Sequence, residues 1–123
     1  MKLRFRQNSV RLRVNKREVQ TLAAGTPLEE RIQFPGDARL AYVLGSITGP
    51  TPQVSFEEGT LRVAAPRDRV VDWANSDSIG MYFDLPANGT SLRLAIEKDL
   101  ECIEGPEEER DPDAFPRADG KKC

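Results

Sequence analysis

Four arginines near the start of the chain have the side chains and the spacing to bind an anion. Arg4 and Arg6 alternate with apolar residues in the opening segment, and Arg11 and Arg13 do the same in the next. If the two segments pair as strands, the four guanidinium groups share one face, suited to bidentate contacts with phosphate or carboxylate. The alternative is a solvated face, or one paired with acids of the same chain, because exposed strands often carry charge that prevents edge pairing.

Three carboxylates alternate late in the sequence, at Glu97, Asp99 and Glu101. On an extended strand they point to one side, and oxygen-rich clusters of this kind bind hard cations such as Mg²⁺. Together with the arginines they define an alternative function, that of a metal-dependent phosphohydrolase. Alternating acids are also common at strand ends, so the leading expectation is that the chain holds no metal.

Short polar side chains gather at Asn75, Ser76 and Asp77, directly after a predicted helix that contains Trp73. These three residues form a candidate ligand loop. The favoured interpretation is a structural turn, because Asn, Ser and Asp side chains readily satisfy the free amide groups of a turn.

The composition removes whole classes of catalytic chemistry. The 123 residues include no histidine and only two cysteines, which excludes catalysis by a histidine base and zinc sites that need histidine ligands. The sequence has no glycine-rich phosphate loop, dinucleotide-binding fingerprint or nucleophile motif. We therefore expect no catalytic residues, no cofactor, and a binding protein rather than an enzyme.

The apolar pattern predicts the elements that hold these side chains. Period-two alternation predicts eight strands, mostly joined in hairpins, with Asn88-Gly89 as the clearest turn. An Asn15–Glu18 capping box and Pro66 begin two short helices, after the second and the sixth strand. This order predicts an α+β fold: a mostly antiparallel curled sheet or small open barrel with two helices. No internal repeat is apparent.

The C-terminal segment differs from the rest of the chain. Residues 1–17 carry seven basic side chains and no acid, whereas residues 104–113 carry six acids and one arginine. A segment rich in charge, Pro and Gly buries too little apolar surface to offset its ordering entropy. The sequence predicts a single domain over residues 1–103 and an acidic tail over residues 104–123, where Phe115 is the one large apolar side chain.

Similarity to one uncharacterised bacterial family extends over nearly the whole chain. It is carried, in this order, by MKLRFRQNSVRLRVNKREVQTLAAG, WANSDSIGM, LAIEKDLECIE and DPDAFP. The chain resembles members of this family, which is a domain of unknown function. The resemblance implies a small bacterial cytosolic protein, and it implies no activity, ligand or catalytic residue.

The apolar pattern of the chain predicts its location, and the distribution of charge predicts its partners. No apolar run approaches the ~20 residues that span a bilayer, and the opening segment lacks the continuous apolar stretch of a secretory signal. We expect a cytoplasmic protein with no membrane partner. The oppositely charged ends indicate a protein partner first. Nucleic acid or a nucleotide is the second expectation. It is ranked below a protein partner because a net charge of −2 and the absence of Tyr or Trp between the arginines both argue against nucleic-acid binding.

Overall fold

The computed structural model describes residues 1–100 and 113–116. In chain order it contains β1 (Lys2–Arg6), β2 (Ser9–Val14), α1 (Lys16–Ala23), β3 (Leu28–Gln33), β4 (Arg39–Ile47), β5 (Gln53–Glu57), β6 (Thr60–Pro66), α2 (Arg67–Ala74), β7 (Gly80–Ala87) and β8 (Thr90–Lys98). This order confirms the prediction of an α+β chain with eight strands and two short helices. Within the described residues, neither helix is long and apolar enough to cross a membrane.

Local sequence signals set the ends of these elements. The Oδ1 of Asn15 accepts a hydrogen bond of 2.9 Å from the Glu18 amide, and the Glu18 carboxylate accepts one of 3.0 Å from the Asn15 amide. This reciprocal pair is the predicted capping box, and it begins α1. Gly25 follows the helix with φ at +95°, a left-handed conformation that glycine adopts without strain.

The strands form two four-stranded sheets, each of mixed direction. Their orders are β1-β2-β8-β7 and β3-β4-β6-β5. The four hairpins are antiparallel, but the central pairs β2–β8 and β4–β6 are parallel. The prediction of a mostly antiparallel curled sheet or small open barrel is therefore confirmed only in part, since the strands form two separate mixed sheets and each sheet keeps two edge strands. Turn residues determine pairing within a hairpin and carry no information about how two hairpins associate.

The chain divides into two compact units. The described part of unit 1 is residues 1–19, 79–100 and 113–116, and it contains the sheet β1-β2-β8-β7. Unit 2 is residues 20–78 and contains the sheet β3-β4-β6-β5 and helix α2. Large apolar side chains on one face of the unit 1 sheet are buried, namely Val10, Leu12, Val14, Met81, Leu94 and Ile96. Those buried in unit 2 include Leu44, Leu61, Val63, Val70 and Trp73.

The element order repeats along the chain at a spacing of 51 residues. Strands β1 and β5 start 51 residues apart, and so do α1 and α2, and β4 and β8. Each half therefore runs strand, strand, helix, strand, strand, and each sheet takes one hairpin from each half. The first turns also correspond, because Gln7 and Glu58 adopt φ angles of 53° and 52°. The repeat is not apparent in the sequence, because equivalent positions of the two halves, such as Leu12 and Val63, are both apolar but hold different residue types.

Part of the predicted acidic tail lies against unit 1. The amide of Phe115 donates a hydrogen bond of 2.7 Å to the carbonyl of Asp99, and Ala114 is buried. The Nζ of Lys98 lies 5.4 Å from the centre of the Phe115 ring, within the range of a cation–π contact. The proposed domain boundary at residue 103 stays a prediction, and residues 113–116 belong structurally with unit 1.

Candidate anion-binding face

The β1–β2 hairpin places the four predicted arginines on one face of unit 1. Arg4 lies directly opposite Arg11 in the antiparallel register. Arg6 and Arg13 share that face, because residues two apart on a strand point to the same side. Val10, Leu12 and Val14 alternate with them and face the buried side. The local cause of this gathering is the alternation of basic and apolar residues in both strands.

The β7–β8 hairpin extends the same face with residues from the far end of the chain. Its register sets Arg93 beside Ser9 and Glu97 beside Arg13, with Tyr82 on the outer strand. We call this surface the cationic face and define it by its charged members, which are Lys2, Arg4, Arg6, Arg11, Arg13, Asp84, Arg93 and Glu97. This surface thus carries six cations and two carboxylates, and a third carboxylate, that of Asp99, pairs with Lys2, in a chain whose net charge is −2.

Glu97 is the centre of a polar cluster on the cationic face. Its Oε1 lies 3.2 Å from the Nε of Arg11 and 3.7 Å from the Nε of Arg13. Its Oε2 accepts a hydrogen bond of 2.7 Å from the hydroxyl of Tyr82. The Glu97 side chain is only 14% exposed, so these contacts hold two guanidinium groups and a phenol ring in fixed positions.

Tyr82 lies across Gly80, its neighbour on the same side of β7. A Cβ atom at Gly80 would come within 2.7 Å of the Tyr82 hydroxyl, so glycine leaves the room that the phenol occupies. Burial, and then the hydrogen bond to Glu97, raises the pKa of the Tyr82 hydroxyl, while Arg11 and Arg13 lower it. The phenol therefore remains protonated at neutral pH, and 58% of the residue surface is open to solvent.

Three other cations of this face are weakly paired or unpaired in the described part of the chain. Arg4 and Arg6 have no ion-pair partner among residues 1–100 and 113–116. The Nε of Arg93 lies 4.0 Å from an oxygen of Asp84, and both side chains are highly exposed. An exposed pair at that distance contributes little, so no carboxylate within the described residues neutralises these three arginines strongly.

A groove of about 740 Å³ crosses the cationic face. Its volume lies in the range usual for small-ligand sites. The side chains on the outer side of the sheet that line it include Arg6, Ser9, Arg11, Tyr82, Asp84 and Arg93. Turn residues close one end, where the Asn8 side-chain amide donates a hydrogen bond of 2.9 Å to the Ser91 carbonyl. The groove thus combines guanidinium groups, an aromatic ring and neutral hydrogen-bonding groups.

Unit 2 presents the equivalent surface without the excess of charge. The residues 51 positions after Arg4 and Arg6 are Ser55 and Glu57, on the equivalent edge strand β5. The corresponding groove measures about 320 Å³ and has both acidic and basic residues in its lining. Since both sheets use the same strand order and direction, the fold itself does not require the arginines of unit 1.

The three carboxylates of the phosphohydrolase alternative have different surroundings. Glu97 is engaged by Tyr82 and two arginines, and the buried Asp99 carboxylate lies 2.8 Å from the Nζ of Lys2. Glu101 lies outside the described residues. Across residues 1–100 and 113–116, no three acidic or cysteine side chains are close enough together to hold a metal ion. The metal alternative stays a prediction.

The candidate ligand loop lies at the C-terminal end of α2, in unit 2. The Asn75 side-chain amide donates a hydrogen bond of 2.9 Å to the Val71 carbonyl, and the Ser76 hydroxyl donates one of 3.3 Å to the Trp73 carbonyl. These bonds satisfy carbonyl groups that a helix end leaves unpaired. Asp77 follows in the same turn. Asn75, Ser76 and Asp77 belong to unit 2, whereas the residues of the cationic face all belong to unit 1.

Among the groove residues that sequence reasoning missed, Tyr82 and Arg93 contribute the aromatic ring and a further cation. Both lie on strands that were correctly predicted, and alternation assigns each to the polar side of its strand. The missing information was the parallel pairing of β2 with β8, which joins segments more than 80 residues apart. An aromatic residue, Tyr82, therefore does lie near the arginines in the folded sheet, although it is distant from them in the sequence.

Fold and site together define a small α+β protein built from a repeated ββαββ element, with one strongly basic sheet face. The chain belongs to a family of unknown function, DUF7009, whose model matches residues 1–119. This match confirms the resemblance noted in the sequence. No curated protein and no solved structure matches the chain.

Proposed function

We propose that this protein is a non-enzymatic binding module whose cationic face takes a polyanionic ligand. The observation that carries the proposal is the excess of guanidinium groups on this one face, with Arg4 and Arg6 unpaired within residues 1–100 and 113–116. Arginine suits such a role because its planar fork binds phosphate bidentately and keeps its charge at any physiological pH.

The internal repeat supports a functional rather than a structural reason for this charge. The sheet of unit 2 has the same strand arrangement and carries Ser55 and Glu57 where unit 1 carries Arg4 and Arg6. Like charges opposite one another in a sheet are destabilising, and Arg4 faces Arg11 in just this way. An excess of like charge that the fold does not need is best explained by a ligand of opposite charge.

The polar cluster around Glu97 supports binding rather than catalysis. One carboxylate positions two arginines and Tyr82, which fixes donors in advance of the ligand. The expected protein partner stays a prediction, and on this face it would have to present acidic side chains. The anion-binding alternative is the one that the surface chemistry favours.

The first prediction tests the face with a ligand that carries charge and no bases. Inorganic polyphosphate should bind the full chain, and binding should weaken as salt rises, because ion release contributes to affinity. The double variant Arg4→Ala/Arg6→Ala should bind at least about tenfold more weakly, since losing even one hydrogen bond to a charged group costs ~1.5–3 kcal/mol. Isothermal titration calorimetry at two salt concentrations measures both effects.

The matched control is Arg39→Ala/Arg62→Ala, which removes two cations from the equivalent face of unit 2. It makes the same change in net charge and should retain the affinity of the unaltered protein. Equal losses in both double variants would show that binding follows net charge alone and would contradict the proposed site. Absence of polyphosphate binding at low salt would contradict the proposed function itself.

A further inference from the structure

We propose that the polyanion is single-stranded nucleic acid, with a base stacked on Tyr82 and the phosphates held by the arginines of the cationic face. The inference rests on the proposed function and adds the identity of the ligand. It depends on Tyr82, an aromatic side chain that a purely electrostatic site would not need.

The position of Tyr82 suits stacking. The residue is 58% exposed, on the polar side of an edge strand, while its hydroxyl is tied to Glu97 at 2.7 Å. Gly80 beneath it and Ala95 beside it are small, so no large side chain from either position covers the ring. A ring that is held at one end and open to solvent offers a base a preorganised platform.

The arginines lie where the phosphates of such a strand would pass. In the sheet register, Arg4, Arg11, Ala95 and Tyr82 form one row across four strands. At ~4.8 Å between strands, this row spans about 14 Å across the sheet. Arg6 and Arg93 lie in the adjacent row. When a base stacks on Tyr82, the phosphates on either side of that nucleotide therefore lie within reach of the arginines in both rows.

Unpaired bases are required, because a base inside a duplex cannot stack on a protein ring. Four-stranded sheets with an open face, a basic surface and exposed aromatic residues are a recurring solution for binding single strands. The groove also contains neutral donors and acceptors at Ser9 and Asn8, and a carboxylate at Asp84. Of these, the Asp84 carboxylate lies nearest to Tyr82 along the chain, two residues further on the same side of β7.

The second prediction compares two strands that differ only in their bases. An oligothymidylate of about 12 nucleotides, within the range that one stacking surface engages, should bind more tightly than an abasic deoxyribose-phosphate oligomer of equal length. Tyr82→Ala should reduce the ratio of the two affinities by roughly 5- to 150-fold, the effect of losing one stacked base. Tyr82→Phe should keep the ratio within about twofold, because it keeps the ring.

The outcomes separate this inference from the proposed function. Equal binding of the two oligomers, or an equal loss for both in Tyr82→Ala, would overturn base stacking while leaving the polyanion site in place. If the unaltered protein did not bind polyphosphate, the proposed function would be contradicted as well. Tighter binding of duplex DNA than of the single strand would overturn the inference, and so would thymidine monophosphate binding as tightly as the oligomer. Fluorescence anisotropy with labelled oligomers, and competition with unlabelled nucleotide, provide these measurements.

Discussion

The hydroxyl of Tyr82 reports directly on the cluster that organises the candidate site. Burial and the bond to Glu97 raise its pKa, and the two neighbouring arginines lower it. The third prediction is that its ionisation, followed by phenolate absorbance in a Tyr42→Phe background, has a midpoint above the usual value of about 10. Glu97→Gln should lower this midpoint, because it removes the negative charge and leaves both arginines.

The same shift has a defined effect on stability. Because the native pKa is raised, the folded state binds the phenol proton more tightly than the unfolded chain does. The stabilisation is fully present below pH ~10 and is lost as the pH rises through the raised native value. An unchanged midpoint in Glu97→Gln would show that the carboxylate does not control Tyr82, and would weaken the case for a preorganised ring.

At the level of elements, residues 113–116 form a short contact between the C-terminal segment and unit 1. The fourth prediction is that Phe115→Ala lowers the melting temperature by about 4–8 °C, the shift for ~1 kcal/mol in a domain this size. The loss has two causes, which are the cation–π contact with Lys98 and the partial burial of the ring. Calorimetry of the full chain measures it.

Phe56→Ala is the matched control for that experiment. Phe56 is 63% exposed at the end of the edge strand β5, so removing its ring should change the melting temperature by less than half as much. Similar melting temperatures for the two variants would show that the Phe115 contact contributes no stability. That result would agree with the predicted domain boundary at residue 103.

At the level of elements, part of the fold and of the candidate site could be predicted from the sequence. Turns, caps and alternation act between neighbouring residues, so the hairpins, the capping box of Asn15 and the gathering of Arg4 with Arg11 could be predicted. The pairing of β2 with β8 depends on long-range packing between segments of similar apolar character. No local signal encodes it, so the mixed sheets, the repeat and the place of Tyr82 could not be predicted from one sequence.

For the whole molecule, the distribution of charge suggests competition for the cationic face. The acidic residues between 104 and 112 are tethered to the protein that carries the arginines, so they act at high effective concentration. The fifth prediction is that the triple variant Glu107→Gln/Glu108→Gln/Glu109→Gln binds oligothymidylate more tightly at low salt, and that this gain shrinks at high salt. Anisotropy titrations at the two salt concentrations measure it.

The control replaces three acids that belong to unit 2, as Asp68→Asn/Asp72→Asn/Glu57→Gln. It makes the same change in net charge without altering the tethered segment. Equal gains in both triple variants would attribute the effect to net charge, and no gain in either would show that the segment does not compete with the ligand.

The parallel pairing of β2 with β8 has a consequence for the order in which a newly made chain folds. Ser9 pairs with Arg93, 84 positions later, whereas Ala41 of unit 2 pairs with Thr60, only 19 positions later. At ~5–20 residues per second of synthesis, the first hairpin waits roughly 4 to 17 s for its partner strand to leave the ribosome. A lone hairpin is marginally stable in water, so unit 2 acquires its sheet first. Translation that stops before β8 would then release a chain with a folded second unit and no binding face.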